Sequence, residues 1–315
     1  MATTIEARGL SKSYGSTRAL DSVSFTVESG RIVGLIGPNG AGKTTALKAI
    51  LGLTHVHGEL RVLGLNPRTQ RDRLMQDVCF IADVAVLPKW LRVRQALDFL
   101  SGVHPRFDRS RAESFLRRTD IRASSRVREL SKGMVTQLHL ALVLAIDARL
   151  LVLDEPTLGL DLLYRRQFYD TILNDYFDKE RTIVLATHQV EEVENLLTDV
   201  IFIGSGRIML ASSVEDIAER YVQLTVNPDQ AARARELQPF YEREVFGRVA
   251  LFFEGRPASA LAALGDVRTP SISDLFVAKM QGGPLGGGRP TTGGQSAGGA
   301  GAGAPLDERQ AGGER

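Results

Sequence analysis

This sequence predicts an α/β fold: a mainly parallel sheet with flanking helices, accompanied by an antiparallel β subdomain, a helical insert and a small C-terminal α+β unit. Three observations predict it. First, a nearly unbroken apolar run, RIVGLIG (31–37), passes through a glycine-rich loop into KTTALKAILGL (43–53), which has helical spacing. Second, two more apolar runs, ARLLVLDEP (148–156) and RTIVLATHQ (181–189), flank a helix expected over 162–178, the alternation expected of parallel strands joined by helices. Third, the stretch from about Arg71 to Arg128 is helix-rich and studded with arginine, so it reads as an insert between the first two runs.

The chain opens with TIEARGLSKSYG (4–15) and LDSVSFTVESG (20–30). The second of these alternates apolar and polar residues before a Ser-Gly turn, which fits antiparallel strands. After the third apolar run, VIFIGSGRIMLAS (200–212) reads as a hairpin turning at Ser205-Gly206. Beyond Arg220, YVQLTV and GRVALFF are strand candidates, and DQAARAREL and ASALAALG are helix candidates. The resulting division is a domain over 1–220 with its insert at about 71–135, an accessory unit over 221–280 and a tail over 281–315. The tail is Gly, Ala, Pro and Ser with hardly any large apolar residue, so disorder is expected there.

Bulk properties narrow the function. The 315 residues suffice for a sizeable core. The 39 Lys and Arg nearly balance 37 Asp and Glu, which leaves no overall field to steer the chain toward nucleic acid. Cys79 is the one cysteine and cannot form an internal disulfide; with no apolar run in MATTIEARGL, a reducing cytoplasmic setting is expected. No apolar run approaches the ~18 residues of a membrane span, so any membrane role requires a partner chain.

GPNGAGKTT (Gly37, Pro38, Asn39, Gly40, Ala41, Gly42, Lys43, Thr44, Thr45) fits the G-x-x-x-x-G-K-[ST] phosphate loop. Its backbone N–H groups wrap phosphates, Lys43 neutralises the β and γ charges, and the Thr44 hydroxyl serves Mg²⁺. Asp154 and Glu155 follow four apolar residues, at the carboxyl end of a buried strand, where open α/β sheets bind ligands. Asp154 suits the metal, and Glu155 suits orientation or deprotonation of an attacking water. Thr187 and His188 tip the next apolar run; a histidine there is either a catalytic group or an ordinary surface residue. RELSKGMVTQLHL (128–140) puts a small-residue turn ahead of a helix pattern, a second N-terminus fit to meet an anion.

The order of these motifs resembles the ATP-binding cassette family over roughly Ile5 to Ala211: GPNGAGKTT, the signature LSKGM, LLVLDEPTLGLD and ATH. The resemblance implies a P-loop NTPase core and an ATP hydrolase using ATP and Mg²⁺. It implies that Tyr14 stacks on adenine, Asp161 belongs to the dimer-interface loop and His188 meets the γ-phosphate. It also implies that Ser131 and the Gly133 backbone close over ATP held by a second ABC subunit. With both half-sites in one chain, a homodimer is favoured. A membrane-spanning permease subunit is the other partner implied, which would hold the chain at the inner face of the cell membrane.

Two departures stand out. Lys132 and Met134 replace a glycine and the glutamine of the usual signature, a variant that resembles bacterial exporter cassettes, and Asp83 stands where the family commonly has a metal-contacting glutamine. SISDLFVAK (271–279) loosely resembles the closing segment of exporter cassettes. Export is therefore expected, with import the near alternative. A soluble ATPase acting on nucleic acid or ribosomes is disfavoured, because the insert's arginines alternate with Asp108, Glu113, Asp120 and Glu129; no nucleic-acid partner is expected.

Overall fold

The computed structural model describes residues 2–81, 87–158, 160–178 and 180–282. Strands β1 (Thr3–Tyr14) and β2 (Thr17–Glu28) pair antiparallel, with register shifts along β1. Then come β3 (Ile32–Ile36), all five residues buried, α1 (Lys43–Ile50), and β4 (His57–Val62). β4 adds to β1 to complete a three-stranded sheet in the order β2-β1-β4.

A single turn, α2 (Arg71–Leu74), leads into β5 (Val78–Ile81), which pairs parallel with β6 (Leu150–Asp154). Val78 to Ile81 is thus an edge strand of the main sheet, although its surroundings read as helix-rich. Four residues are too few to display a period, so only the neighbouring strand identifies them. Between β5 and β6 lie α3 (Val93–Val103), α4 (Arg109–Leu116) and α5 (Lys132–Leu144). They bury Val93, Leu97, Leu116, Val127 and Leu138 in a small core of their own.

Helix α6 (Leu162–Thr171) continues through a π-type turn over Ile172–Tyr176 to β7 (Thr182–Thr187). The expected hairpin is β8 (Asp199–Gly204) and β9 (Arg207–Ser213). Ser205 (φ 48°) and Gly206 (φ 76°) both take the left-handed conformation that a two-residue hairpin turn of this hand needs. The main sheet runs β5-β6-β7-β3-β8-β9, parallel except for β9. Alternate residues face opposite layers: Ile36, Leu151, Leu153, Ile183 and Leu185 meet α5 and α6, whereas Val33, Leu35, Val152 and Val184 meet α1 and the three-stranded sheet.

After α7 (Val214–Arg220), the C-terminal part comprises β10 (Tyr221–Val226), α8 (Pro228–Arg235), β11 (Tyr241–Val245), β12 (Arg248–Glu254), α9 (Ala258–Leu261), β13 (Asp266–Arg268) and α10 (Ile272–Gly282). Its sheet, β11-β12-β10-β13, is wholly antiparallel. Proline at the first turn of α8 costs no hydrogen bond, because that N–H has no partner in a helix anyway. Helix α10 packs Ile272, Leu275 and Phe276 against the main core, with Phe276 edge-on to Phe202 at 5.3 Å. It extends two residues into the stretch read as tail. Residues 283–315 of that tail, and Asp83, lie outside the described residues. No helix among the described residues is long and apolar enough to cross a membrane.

Candidate functional site

Register builds the site. Ile36 pairs with Thr187, and Asp154 with Ala186, so the tips of β3, β6 and β7 end side by side. The next residues of each strand, Gly37, Glu155 and His188, therefore emerge at one edge. They open on a cleft of about 570 Å³ lined by loop residues 39–45 together with Asp154, Glu155 and His188.

Close approach explains the loop's glycines. A Cβ on Gly37 would lie 2.3 Å from the Ile203 carbonyl oxygen, and one on Gly42 (φ 110°) would lie 2.3 Å from that of Ala19. Either contact is too short for any side chain, and the second also falls in the backbone region that only glycine occupies easily. Gly42 starts α1, whose first N–H groups face the cleft with no side-chain cap.

Lys43 is 6% exposed. Its Nζ donates to the carbonyl oxygens of Gly37 (2.7 Å) and Pro38 (3.3 Å) and lies 3.3 Å from Glu155 Oε1. The same Glu155 oxygen lies 2.9 Å from His188 Nδ1, and Glu155 Oε2 accepts from the Thr187 hydroxyl at 3.4 Å. One carboxylate thus gathers Lys43, His188 and Thr187. Glu155 holds a left-handed backbone (φ 47°), a strain of about 1 kcal/mol for a residue with a side chain. Pro156 behind it disfavours the right-handed helical alternative, and the Glu155 N–H is fixed to the Ala186 carbonyl at 2.9 Å. The strained turn aims the carboxylate at the loop.

Asp154, 6% exposed, and Thr44 line the same cleft. The two form an all-oxygen donor set, open on the cleft side, which fits Mg²⁺ shared with substrate phosphates rather than an all-protein cage. No cluster of three or more metal-ligating side chains occurs among the described residues.

The remaining expected residues stand around the cleft or away from it. Tyr14, at the end of β1, is 50% exposed; its hydroxyl lies 3.4 Å from Thr54 and beside Thr45, a residue of the cleft wall. Ser131 caps α5, its Oγ accepting from Met134 N at 3.2 Å, and Asp161 caps α6, its Oδ1 accepting from Tyr164 N at 3.0 Å. Neither these two nor Gly133 reaches the cleft. Around Asp161 the surface is apolar: Leu162 is 81% and Leu163 74% exposed, and Leu158 joins them at the cleft's rim.

Several contributors gave no sequence signal. Arg165 donates to the Leu160 carbonyl at 2.7 Å and pairs with Glu192, bracing the loop that carries Glu155 and Asp161. Tyr169 holds Thr157 of that loop at 3.1 Å. Both follow from α6 packing against it, which no local pattern announces.

The insert's arginines include two contrasting groups. Arg106, Arg109 and Arg118 have carboxylate partners in Asp77, Asp98, Glu113 and Asp175. A short ribbon formed by 89–94 against 123–128, with Arg92 opposite Arg126, is different. It buries Val93 and Val127 and carries Trp90, Arg92, Arg94, Arg126 and Arg128 on the alternate positions; Arg92 donates to the Ser124 carbonyl at 2.6 Å, and among the described residues none of the four arginines has an ion pair. Trp90 is 68% exposed.

A family model described as ABC transporter matches residues 20–158. Over 292 residues the chain is 32% identical to Nod factor export ATP-binding protein I of Rhizobium sp. (strain N33), covering 87% of this chain and 95% of that relative. It is 28% identical to ABC transporter ATP-binding protein YtrB of Bacillus subtilis (strain 168), covering 70% and 75%. Among solved structures, an ATP-binding subunit of an ABC transporter is similar at a TM-score of 0.63 and 28% identity, covering 69% of this chain and 92% of that one. With this extent of likeness and the strand-tip cleft behind its phosphate loop, the chain belongs to the ABC transporter ATP-binding family.

Proposed function

We propose that this chain is an ATP-hydrolysing subunit that pairs head to tail with a second copy around two MgATP and drives export through a separate membrane subunit. Family membership carries ATP binding and work alongside a membrane permease. One observation supports the finer reading above all: the catalytic strand tips and the signature turn belong to one chain but to different surfaces. A helix N-terminus left outside its own cleft suits closure over the cleft of a partner.

In the proposed reaction, Lys43 releases Glu155 to hold the β and γ phosphates, so binding of substrate frees the base. Glu155 then takes a proton from the attacking water, and His188, already bonded to that carboxylate, steadies it and faces the γ-phosphate. Thr44 and Asp154 would hold Mg²⁺, whose charge offsets that of the phosphates. The apolar Leu158, Leu162 and Leu163 beside the site are a suitable core for the subunit contact. Trp90 and the arginines of the ribbon offer the insert a docking face for the membrane subunit. Export, rather than import, is favoured by the relative named for Nod factor export.

Glu155→Gln is the test: MgATP binding persists, a stable dimer accumulates, and turnover falls by about 100-fold or more. Normal turnover by this variant would remove Glu155 from the chemistry. An ATP-loaded Glu155→Gln protein that sediments as a monomer would remove the head-to-tail pair.

A further inference from the structure

Gly133 stands second in α5, and its surroundings give a reason for glycine that involves no nucleotide. A Cβ there would lie 2.6 Å from both Cε2 and Cζ of Tyr164 and 2.9 Å from Cε1. The far edge of the tyrosine ring therefore rests on the bare backbone of Gly133. Tyr164 in turn belongs to the first turn of α6, where its N–H is the one that Asp161 caps at 3.0 Å. Its ring thus touches the signature turn while its backbone is tied to the Asp161 loop. The two turns arise from different parts of the fold, α5 from the helical insert and α6 from the main sheet's connections. One helical turn further on, Gln137 Nε2 donates to Gln167 Oε1 at 3.3 Å, a second link along the same seam. Among the described residues the Tyr164 hydroxyl makes no hydrogen bond, so the contact belongs to the ring face and edge.

We propose that Tyr164 is a positioning residue that locks the signature turn to the Asp161 loop, so that both elements present themselves to a partner subunit as one rigid surface. Gly133 is then required first by Tyr164: its missing side chain lets the ring seat, and the seated ring sets where the Ser131 hydroxyl and the first N–H groups of α5 point. Loss of the ring leaves the phosphate loop untouched, because Lys43 and α1 lie on the opposite side of β3 from this seam. The inference rests on the head-to-tail reading given above.

The experiment uses the full chain in the Glu155→Gln background and measures the ATP-dependent dimer dissociation constant by sedimentation, alongside MgATP affinity at concentrations too low to dimerise. Tyr164→Ala is expected to weaken the dimer by about tenfold or more while monomer affinity stays within about twofold, and Tyr164→Phe is expected to restore the dimer. Gly133→Ala approaches from the other side: its methyl displaces the ring and weakens the dimer too, and combining it with Tyr164→Ala gives less than the sum of the two losses. A Tyr164→Ala dimer as tight as the parent overturns the proposal, and so does an additive double variant. Should Tyr164→Ala fail to fold, Gly133→Ala with and without Tyr164→Phe decides it, a dimer of undiminished tightness in Gly133→Ala being the overturning result. A Glu155→Gln parent that never dimerises with ATP is a different failure, that of the head-to-tail reading, and this inference falls with it.

Discussion

The phosphate loop and the signature turn are both glycine-bearing helix N-termini, yet they sit in opposite surroundings. The first lies at the end of a fully buried strand, with Lys43, Asp154, Glu155 and His188 gathered around it by the register of three parallel strands. The second opens α5 on the outside of the helical insert, and the group it meets within the chain is a tyrosine ring. At Gly37 and Gly42 glycine is demanded by carbonyl oxygens of the core, at Gly133 by a movable side chain. Carbonyl oxygens of the core fix the loop from within the sheet, whereas the signature turn is held by one side chain reaching across from α6. A site complete on one side and waiting on the other is what a reaction chamber shared by two subunits requires.

The widest gap between the two halves should appear on deleting Lys43. Lys43→Ala is expected to weaken ATP binding by about 100-fold, measured by titration calorimetry, because the phosphates lose the buried cation of the loop. Equal affinity in wild type and variant would show that the loop is not the nucleotide's anchor.

His139 tests the other half. It lies on α5 below the signature turn; its Nδ1 is buried without a hydrogen-bond partner among the described residues, and burial pushes its pKa down from the ordinary 6.5 to about 4. Above pH 6.5 the ring is neutral in both the folded and the unfolded chain, and pH has no effect through it. As pH falls from 6.5 toward 4 the unfolded chain takes up the proton first, so folding stability is lost across that window. At pH 5 the loss is about 2 kcal/mol. Denaturant unfolding of His139→Leu at pH 7 and pH 5 should show a pH difference smaller by about that amount; an unchanged difference would mean that His139 titrates normally.

Ser131→Ala should reverse the pattern of Lys43→Ala. MgATP affinity of the monomer stays within about twofold, while turnover at saturating ATP falls by about tenfold through the lost contact to the partner's nucleotide. Parallel losses in both quantities would place Ser131 in its own chain's cleft.

The smallest effect concerns Asp161, seen here as the N-cap of α6. Asp161→Ala should cost about 1 kcal/mol of stability, and Asp161→Asn, which can still cap, only a few tenths. If Asp161→Asn nonetheless lowers turnover, the carboxylate's charge has a role across the subunit contact beyond capping.

Much of the site was legible along the chain because each part is local. A five-residue buried strand, a glycine loop and a helix are contiguous, and an apolar run ending in acid declares a strand tip. The hairpin at Ser205-Gly206 was equally local, since the residues that turn it are the ones that permit positive φ. β5 was not legible, being four residues whose identity depends on pairing with β6 more than seventy positions along the chain. Nor was the pairing of the insert's arginines: spacing along the chain suggests interleaved acids throughout, whereas the ribbon of 89–94 and 123–128 gathers arginines that have no ion pair among the described residues.

The sequence by itself determined the list of chemical parts: which helix N-terminus carries a lysine, which strands end in carboxylates, and that a second small-residue turn opens a helix. Those are properties of short segments, and short segments dictate their own backbone through glycine, proline and the alternation of apolar residues. Only the tertiary structure decided who touches whom: that Lys43 and His188 share one oxygen of Glu155, that the Tyr14 hydroxyl meets Thr54, and that Gly133 is the seat of Tyr164. Contacts between segments depend on sheet order and helix packing, which are settled by burying apolar surface over the whole chain and leave no local trace.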